Sequence, residues 1–161
     1  MIEIRTEVKL TGVSGKKISD FLLRCNDQEY QNWWPGTHLA WHTKSQKPDD
    51  IGNVVYFDEY VGKQRLKFDA VVVKYVPGKE IIWQMKRLIK LPAWLIIRFE
   101  DSQRGTLLVH TIQAGFPGPG KILDPWLKLF FTEQFGKDMD EHAKTEFNKL
   151  ALILCNESLL A

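Results

Sequence analysis

Between His38 and Gln113 the chain sets six extended runs end to end, with only short turns between them. Parallel strands need crossovers of a dozen or more residues, and no gap here is long enough to hold one. The runs therefore predict an antiparallel meander. They are read as His38 to Thr43, Asn53 to Val61, Arg65 to Val76, Glu80 to Lys86, Trp94 to Glu100 and Thr106 to Gln113. A seventh strand precedes them, because Ile2, Ile4, Thr6, Val8 and Leu10 alternate with Glu3, Arg5, Glu7 and Lys9. Two short helices should follow that strand. Ser14 caps the first, over Lys16 to Leu23, and Asp27 to Trp34 is the second, broken by Pro35-Gly36.

After the strands, Ala114 to Gly120 reads AGFPGPG, which is expected to be irregular. Asp124-Pro125 then looks like a helix start. A single long helix is expected from Trp126 to about Cys155, with Phe131, Phe135, Met139, His142, Glu146, Leu150 and Ile153 on one stripe. A sheet of about seven strands must cover its apolar face, and this helix is the only element large enough to do so. The expectation is a single α+β domain over residues 1–161. It has a curved antiparallel sheet around a long C-terminal helix and a tapering space between them that a small hydrophobic ligand could fill.

Composition narrows the function. Lys plus Arg is 22 and Asp plus Glu is 20, too even for a dedicated nucleic-acid binder. Two cysteines, Cys25 and Cys155, exclude a disulfide framework and read as structural. The glycines of the Pro-rich stretch follow no dinucleotide spacing, so no nucleotide cofactor is expected. No run approaches the about 20 apolar residues of a membrane span, and the N-terminus lacks the apolar centre of a signal peptide. A cytoplasmic protein without membrane insertion is expected. Lys86, Arg87 and Lys90 beside Leu88-Ile89 form a small basic patch, read as a solvated hairpin and not as a membrane anchor.

Six Trp, nine Phe and four Tyr suit an aromatic-lined cavity. Trp34, Trp41, Trp83 and Trp94 are candidates for its wall, with Phe135 and Met139 from the helix, though any of the tryptophans could be core. The four histidines, His38, His42, His110 and His142, fall on the second strand, the last strand and the long helix. Three of them could converge with Glu59 if sheet and helix face each other. Three imidazoles and a carboxylate suit Zn²⁺ or another borderline divalent metal. No local metal motif is present, and each histidine could equally be a partly exposed strand or helix residue. His42, four residues after His38, should share its strand face, as an alternative ligand, a general base or a rim residue. Glu146, one helical turn after His142, could orient that imidazole, carry protons or be solvated. Asp58 should point away from Glu59 into solvent.

The order of elements resembles the helix-grip superfamily, which includes START lipid-transfer domains, birch-pollen-allergen-like proteins and polyketide cyclases. The C-terminal FGKDMDEHAKTEFNKLALIL, residues 135–154, is the most telling segment. The resemblance implies the fold over essentially the whole chain. A second resemblance is to the zinc-dependent diacetylphloroglucinol and phloretin hydrolases, which cleave a carbon–carbon bond between an acyl group and a phenolic ring. It rests on YQNWWPGTHLAWH (30–42), GNVVYFDEYVG (52–62), GTLLVHT (105–111) and EHAKTEF (141–147). It implies zinc ligands at His38, Glu59, His110 and His142, with Glu146 as the acidic residue after the helix histidine. This chain departs from those enzymes in lacking their N-terminal region and in a shorter stretch between His110 and His142. The expected function is binding of a small aromatic or polyketide-like molecule in the cavity between sheet and helix, with or without a divalent metal, and metal-dependent hydrolysis of an acyl–aryl or related bond is the alternative. A stress-regulated module acting on chaperones ranks third, and no motif supports it.

Overall fold

The computed structural model describes residues 1–88 and 90–160. Strands β1 (Ile2–Thr11), β2 (His38–Ser45), β3 (Val54–Val61), β4 (Gln64–Val76), β5 (Glu80–Lys86), β6 (Lys90–Ser102) and β7 (Gly105–Ala114) form an antiparallel sheet in the order β1-β7-β6-β5-β4-β3-β2. Tight turns make this order possible. Gly62 and Gly78 take φ of 57° and 67°, the left-handed region that β3–β4 and β4–β5 need to reverse.

Helix α1 (Gly15–Arg24) starts where the Ser14 hydroxyl accepts from the Lys17 amide. Helix α2 (Asp27–Trp33) starts with a reciprocal capping box between Asn26 and Glu29. The long C-terminal helix α4 (Glu133–Leu160) lies in the concavity of the curved sheet. Its Phe135, Met139, Ala143, Phe147, Leu150 and Leu154 are buried, a stripe at helical spacing. Most of these pack in one core with Val8, Leu10, Phe57, Ile97 and Leu108 of the sheet. Phe131 and Ile153, expected on the same stripe, are half-buried.

Three expectations are corrected. The helix does not run unbroken from Trp126. A 3₁₀ turn over Gly118–Leu123 leads into α3 (Asp124–Phe130), and the chain then breaks before α4. Phe131 leaves helical geometry at ψ 68°, and the Thr132 hydroxyl accepts from the Phe135 amide, so a new helix is capped there. The second half of the Pro/Gly stretch is correspondingly ordered. Asp58 is not solvated: it is 6% exposed and gripped by Arg65 through two contacts of 2.9 Å. The neighbouring strand β4 supplies that cation on the same outer face of the sheet.

Helix α1 sits hard against the sheet at Gly15. A Cβ there would lie 2.5 Å from Phe99 Cβ and 2.9 Å from the Gly78 carbonyl oxygen. The Gly15 amide is also held by Asp101 Oδ1 at 2.7 Å. Gly15→Ala is expected to lower stability by about 1–3 kcal/mol, the usual cost of overpacking a close contact. Urea unfolding checks this, and an unchanged midpoint would show that α1 can shift freely on β6.

Candidate metal centre

Residues far apart in sequence meet where β2, β3 and α4 come together. His38 opens β2 and Glu59 lies directly across from it on β3, the two being paired in the strand register. His142 and Glu146 are one turn apart on α4, so both side chains face the sheet. One donor atom from each of His38, Glu59, His142 and Glu146 lies within 4.8 Å of every other. His38 Nε2 is 3.5 Å from Glu146 Oε1 and 3.9 Å from Glu59 Oε2. His142 Nε2 is 3.3 Å from Glu59 Oε2 and 3.8 Å from Glu146 Oε2. These contacts are close in distance yet misaligned, and both Nε2 atoms are buried without a hydrogen-bond partner. Orphaned buried nitrogens facing two carboxylates are a costly arrangement for a protein to keep unless something else satisfies them.

Tyr30, on α2, holds two of the four. Its ring stacks on His38 at 3.8 Å with planes 9° apart. Its carbonyl lies 3.2 Å from His38 Nδ1. A carbonyl only accepts, so Nδ1 carries the proton and Nε2 keeps its lone pair directed at the cluster. The Tyr30 hydroxyl donates to Glu59 Oε2 at 2.6 Å. Trp33 of the same helix donates its indole N–H to the Glu146 carbonyl at 2.7 Å, tying α2 to α4 beside the site.

Burial pushes the His38 imidazole down to about 4, so it is neutral at pH 7. Burial also works against charge on Glu59, but His142, His38 and the Tyr30 hydroxyl outweigh it and hold Glu59 below its ordinary value. His142 shows the converse: burial opposes its charge, and Glu59 and Glu146 raise it above the usual histidine value. Glu146 is pushed up to about 8, chiefly by burial, with His142 opposing and Glu59 adding to the rise.

Glu59, His142 and Glu146 also form one wall of an apolar cavity between sheet and helix. Its other walls are Tyr30, Trp41, Phe57, Leu66, Phe68, Leu95, Ile97, Phe135, Met139 and Phe147, with Phe130 and Phe131 from the α3 segment. The space open to the centre of a water molecule is about 70 Å³. That is room for a few waters and less than the about 150 Å³ that takes a benzene, so a bound ring requires the walls to move apart.

Of the residues expected from sequence, Trp41, Phe135 and Met139 line this cavity, and His38, Glu59 and His142 meet in the cluster. Glu146, expected to act beside the set, supplies a donor atom to it. His110 lies outside the four-donor group. It projects from β7 into the cavity, where its Nδ1 is buried with no partner. Burial, then the nearby His142, lowers it to about 4. His42 does not share the face of His38. A bulge between His38 and Ala40 shifts the alternation by one residue, so that Trp41 turns inward and His42 outward. His42 is 43% exposed and paired with Asp27 at 2.8 Å. Trp83 packs in the core against Trp41 and Phe57 rather than on the cavity wall. Trp34 stacks on His142 at 4.9 Å from the other side, beneath the Lys149 ammonium. In the sequence Tyr30 stands out only as the first residue of the segment 30–42. The signal for its role was its distance of eight residues from His38 across a helix end and a turn, which periodicity does not interpret.

No protein-family model matches the chain, and no curated protein matches it. Solved structures do. A protein from Thermus thermophilus is 12% identical with a TM-score of 0.64, over 98% of this chain and 99% of that one. A protein from Nitrosomonas europaea is 14% identical with a TM-score of 0.60, over 97% and 96%. The ginseng major latex-like protein 151 from Panax ginseng is 12% identical with a TM-score of 0.51, over 88% and 95%. At such identities the likeness is one of fold, and the fold is the helix-grip arrangement.

Glu146 carries a pH signature in the metal-free chain. Between its ordinary value of 4.5 and about 8, the folded chain keeps a proton that the unfolded chain has released. The unfolded state then binds fewer protons, so this group's contribution to stability falls as pH rises through that window and is flat above it. Glu146→Gln is expected to remove the decline and to be more stable than the parent at pH 8. Urea unfolding from pH 5 to 9 with a chelator present checks this. Parallel profiles for the two proteins would mean that Glu146 titrates normally.

Proposed function

We propose that this chain holds a zinc ion between His38, Glu59, His142 and Glu146 and hydrolyses an acyl–aryl carbon–carbon or related bond in a small aromatic or polyketide-like molecule. The observation that carries this reading is the meeting of four ligand-type side chains, three buried and Glu59 nearly so, with two imidazole nitrogens that find no hydrogen bond, on the wall of an apolar cavity. Two nitrogens and two carboxylate oxygens suit zinc's borderline character. The resemblance to the diacetylphloroglucinol and phloretin hydrolases supports the same chemistry.

When bound, the ion supplies Lewis acidity toward a carbonyl oxygen or a water molecule. The chain's own residues supply the rest. Tyr30 fixes the His38 tautomer and the Glu59 carboxylate, so two donors are set before any ion arrives. Glu146 and His142 release protons as they become ligands, which makes binding tighter as pH rises. The cavity's aromatic walls seat the ring and exclude water around it. His110 offers a neutral imidazole to the bound molecule, because burial keeps it uncharged at pH 7. Hydrolysis of an acyl–aryl bond places the hydroxyl of water on the acyl carbon and its proton on the departing ring carbon. His110 sits within the cavity to move that proton, whereas His42 on the outer face does not.

Metal analysis of the purified protein is expected to find one zinc per chain. His142→Ala is expected to abolish it. His110→Ala is expected to keep the zinc and to weaken binding of an aromatic polyketide by about fivefold, the loss of one hydrogen bond of about 1 kcal/mol. A parent protein without stoichiometric metal would overturn the hydrolase reading and leave hydrophobic-ligand binding. Zinc lost with His110→Ala and retained with His142→Ala would reassign the ligands.

A further inference from the structure

Residues 118–131, the link between β7 and α4, are apolar on two sides. Phe130 and Phe131 line the mouth of the cavity, with Phe130 still 49% exposed. Outward, Ile122 is 81% exposed, Trp126 71% and Leu129 74%. Trp126 and Leu129, three residues apart, share one face of α3, and Ile122 precedes them in the 3₁₀ turn. A contiguous exposed apolar patch marks a contact surface.

The tip of the β5–β6 hairpin lies at the same end of the molecule. The Gly115 amide, just after β7 and ahead of the link, donates to the Pro92 carbonyl of β6 at 2.9 Å. Met85 of β5 walls the same cavity as Phe130 and Phe131. Leu88 at the hairpin tip is 96% exposed.

Charge decides what covers this surface. Lys121 and Lys128 belong to the link, and Lys86, Arg87 and Lys90 to the hairpin. Among the described residues, none of the five is hydrogen-bonded to a carboxylate, and Lys121 lies near one, Asp124, whose carboxyl it helps the Phe116 amide to hold below its ordinary value. The link's own acid, Asp124, is engaged by the N-terminal ammonium at 3.4 Å and the Phe116 amide at 2.8 Å. A second copy docked here by a two-fold axis would bring the same five cations against themselves. An anionic bilayer takes up both features, apolar side chains in its interface and cations at its headgroups. Among the described residues no helix is long and apolar enough to cross a membrane, so the contact is with its surface.

We propose that this end of the molecule, residues 118–131 with the β5–β6 hairpin tip, seats on the surface of an anionic phospholipid bilayer. Phe130 and Phe131 then lie at the lipid boundary, and an apolar molecule can pass between bilayer and cavity without crossing water. The proposal stands on the outer surface alone and is independent of any metal in the centre.

Vesicle flotation tests it, with phosphatidylcholine alone and with phosphatidylcholine containing phosphatidylglycerol. The protein is expected to float with the anionic vesicles and not with the neutral ones, and to be released by raised salt. Trp126→Ser combined with Leu129→Ser should abolish flotation while circular dichroism is unchanged, since both side chains face solvent. Lys121→Gln combined with Lys128→Gln should weaken it by about fivefold per lysine removed. Absence from anionic vesicles, or equal and salt-insensitive binding to both compositions, would overturn the proposal. So would a dimer in analytical ultracentrifugation that the Trp126→Ser and Leu129→Ser pair dissolves, because the face would then belong to a second copy.

Discussion

A carboxylate kept ionised under a helix is the constraint to which the rest of the structure answers. Glu59 sits on β3 where α4 closes over the sheet, and a buried charge without partners would cost several kcal/mol. Two groups offset that cost, and each comes from a different element: the Tyr30 hydroxyl from α2 and His142 from α4. Docking of α2 and α4 onto the sheet is therefore coupled to the state of one carboxylate. The Trp33 indole bond to the Glu146 carbonyl closes the loop, since it links the two helices directly.

The same arrangement explains why the centre is both rigid and unfinished. Tyr30 commits its ring, carbonyl and hydroxyl to orienting His38 and Glu59. The imidazole nitrogens so oriented find no hydrogen bond. A fold selected only for stability would replace such a group with apolar side chains, because a half-satisfied polar cluster is worse than a dry core. Glu146 sharpens the point. Its proton is held by burial beside a second carboxylate, a state in which the protein gives up stability above the ordinary carboxylate range.

Around the centre, the apolar walls divide into a fixed part and a separately built part. Trp41, Phe57 and Phe147 belong to the continuous core of sheet and helix. Phe130 and Phe131 come from the link that breaks before α4, outside that core. The break lets the link lie across the cavity instead of continuing the helix axis. The consequence is an outer face rich in exposed apolar side chains.

The alternation of Ile2 to Leu10, the dense runs from His38 to Gln113 and the stripe through Phe135, Met139 and Leu150 determined the strands, the meander and the covering helix. Those patterns are local, with periods of two and 3.6 residues, and a local pattern can be read along the chain. His142 and Glu146 were placed together by the same logic, as neighbours one turn apart. What the tertiary structure alone decided was which faces meet and at what depth. The bulge after His38 reversed the side of His42, and a bulge is set by pairing with β3. His110, with the right residue type and an inward face, sits outside the donor group because β7 and β3 are separated by three strands in the sheet order. Trp83 and Trp34 fell on either side of the cavity wall because composition counts aromatic rings but carries no depth. The central role of Tyr30 depends on stacking, a carbonyl and a hydroxyl acting together, and only the packed fold brings those three contacts to one residue.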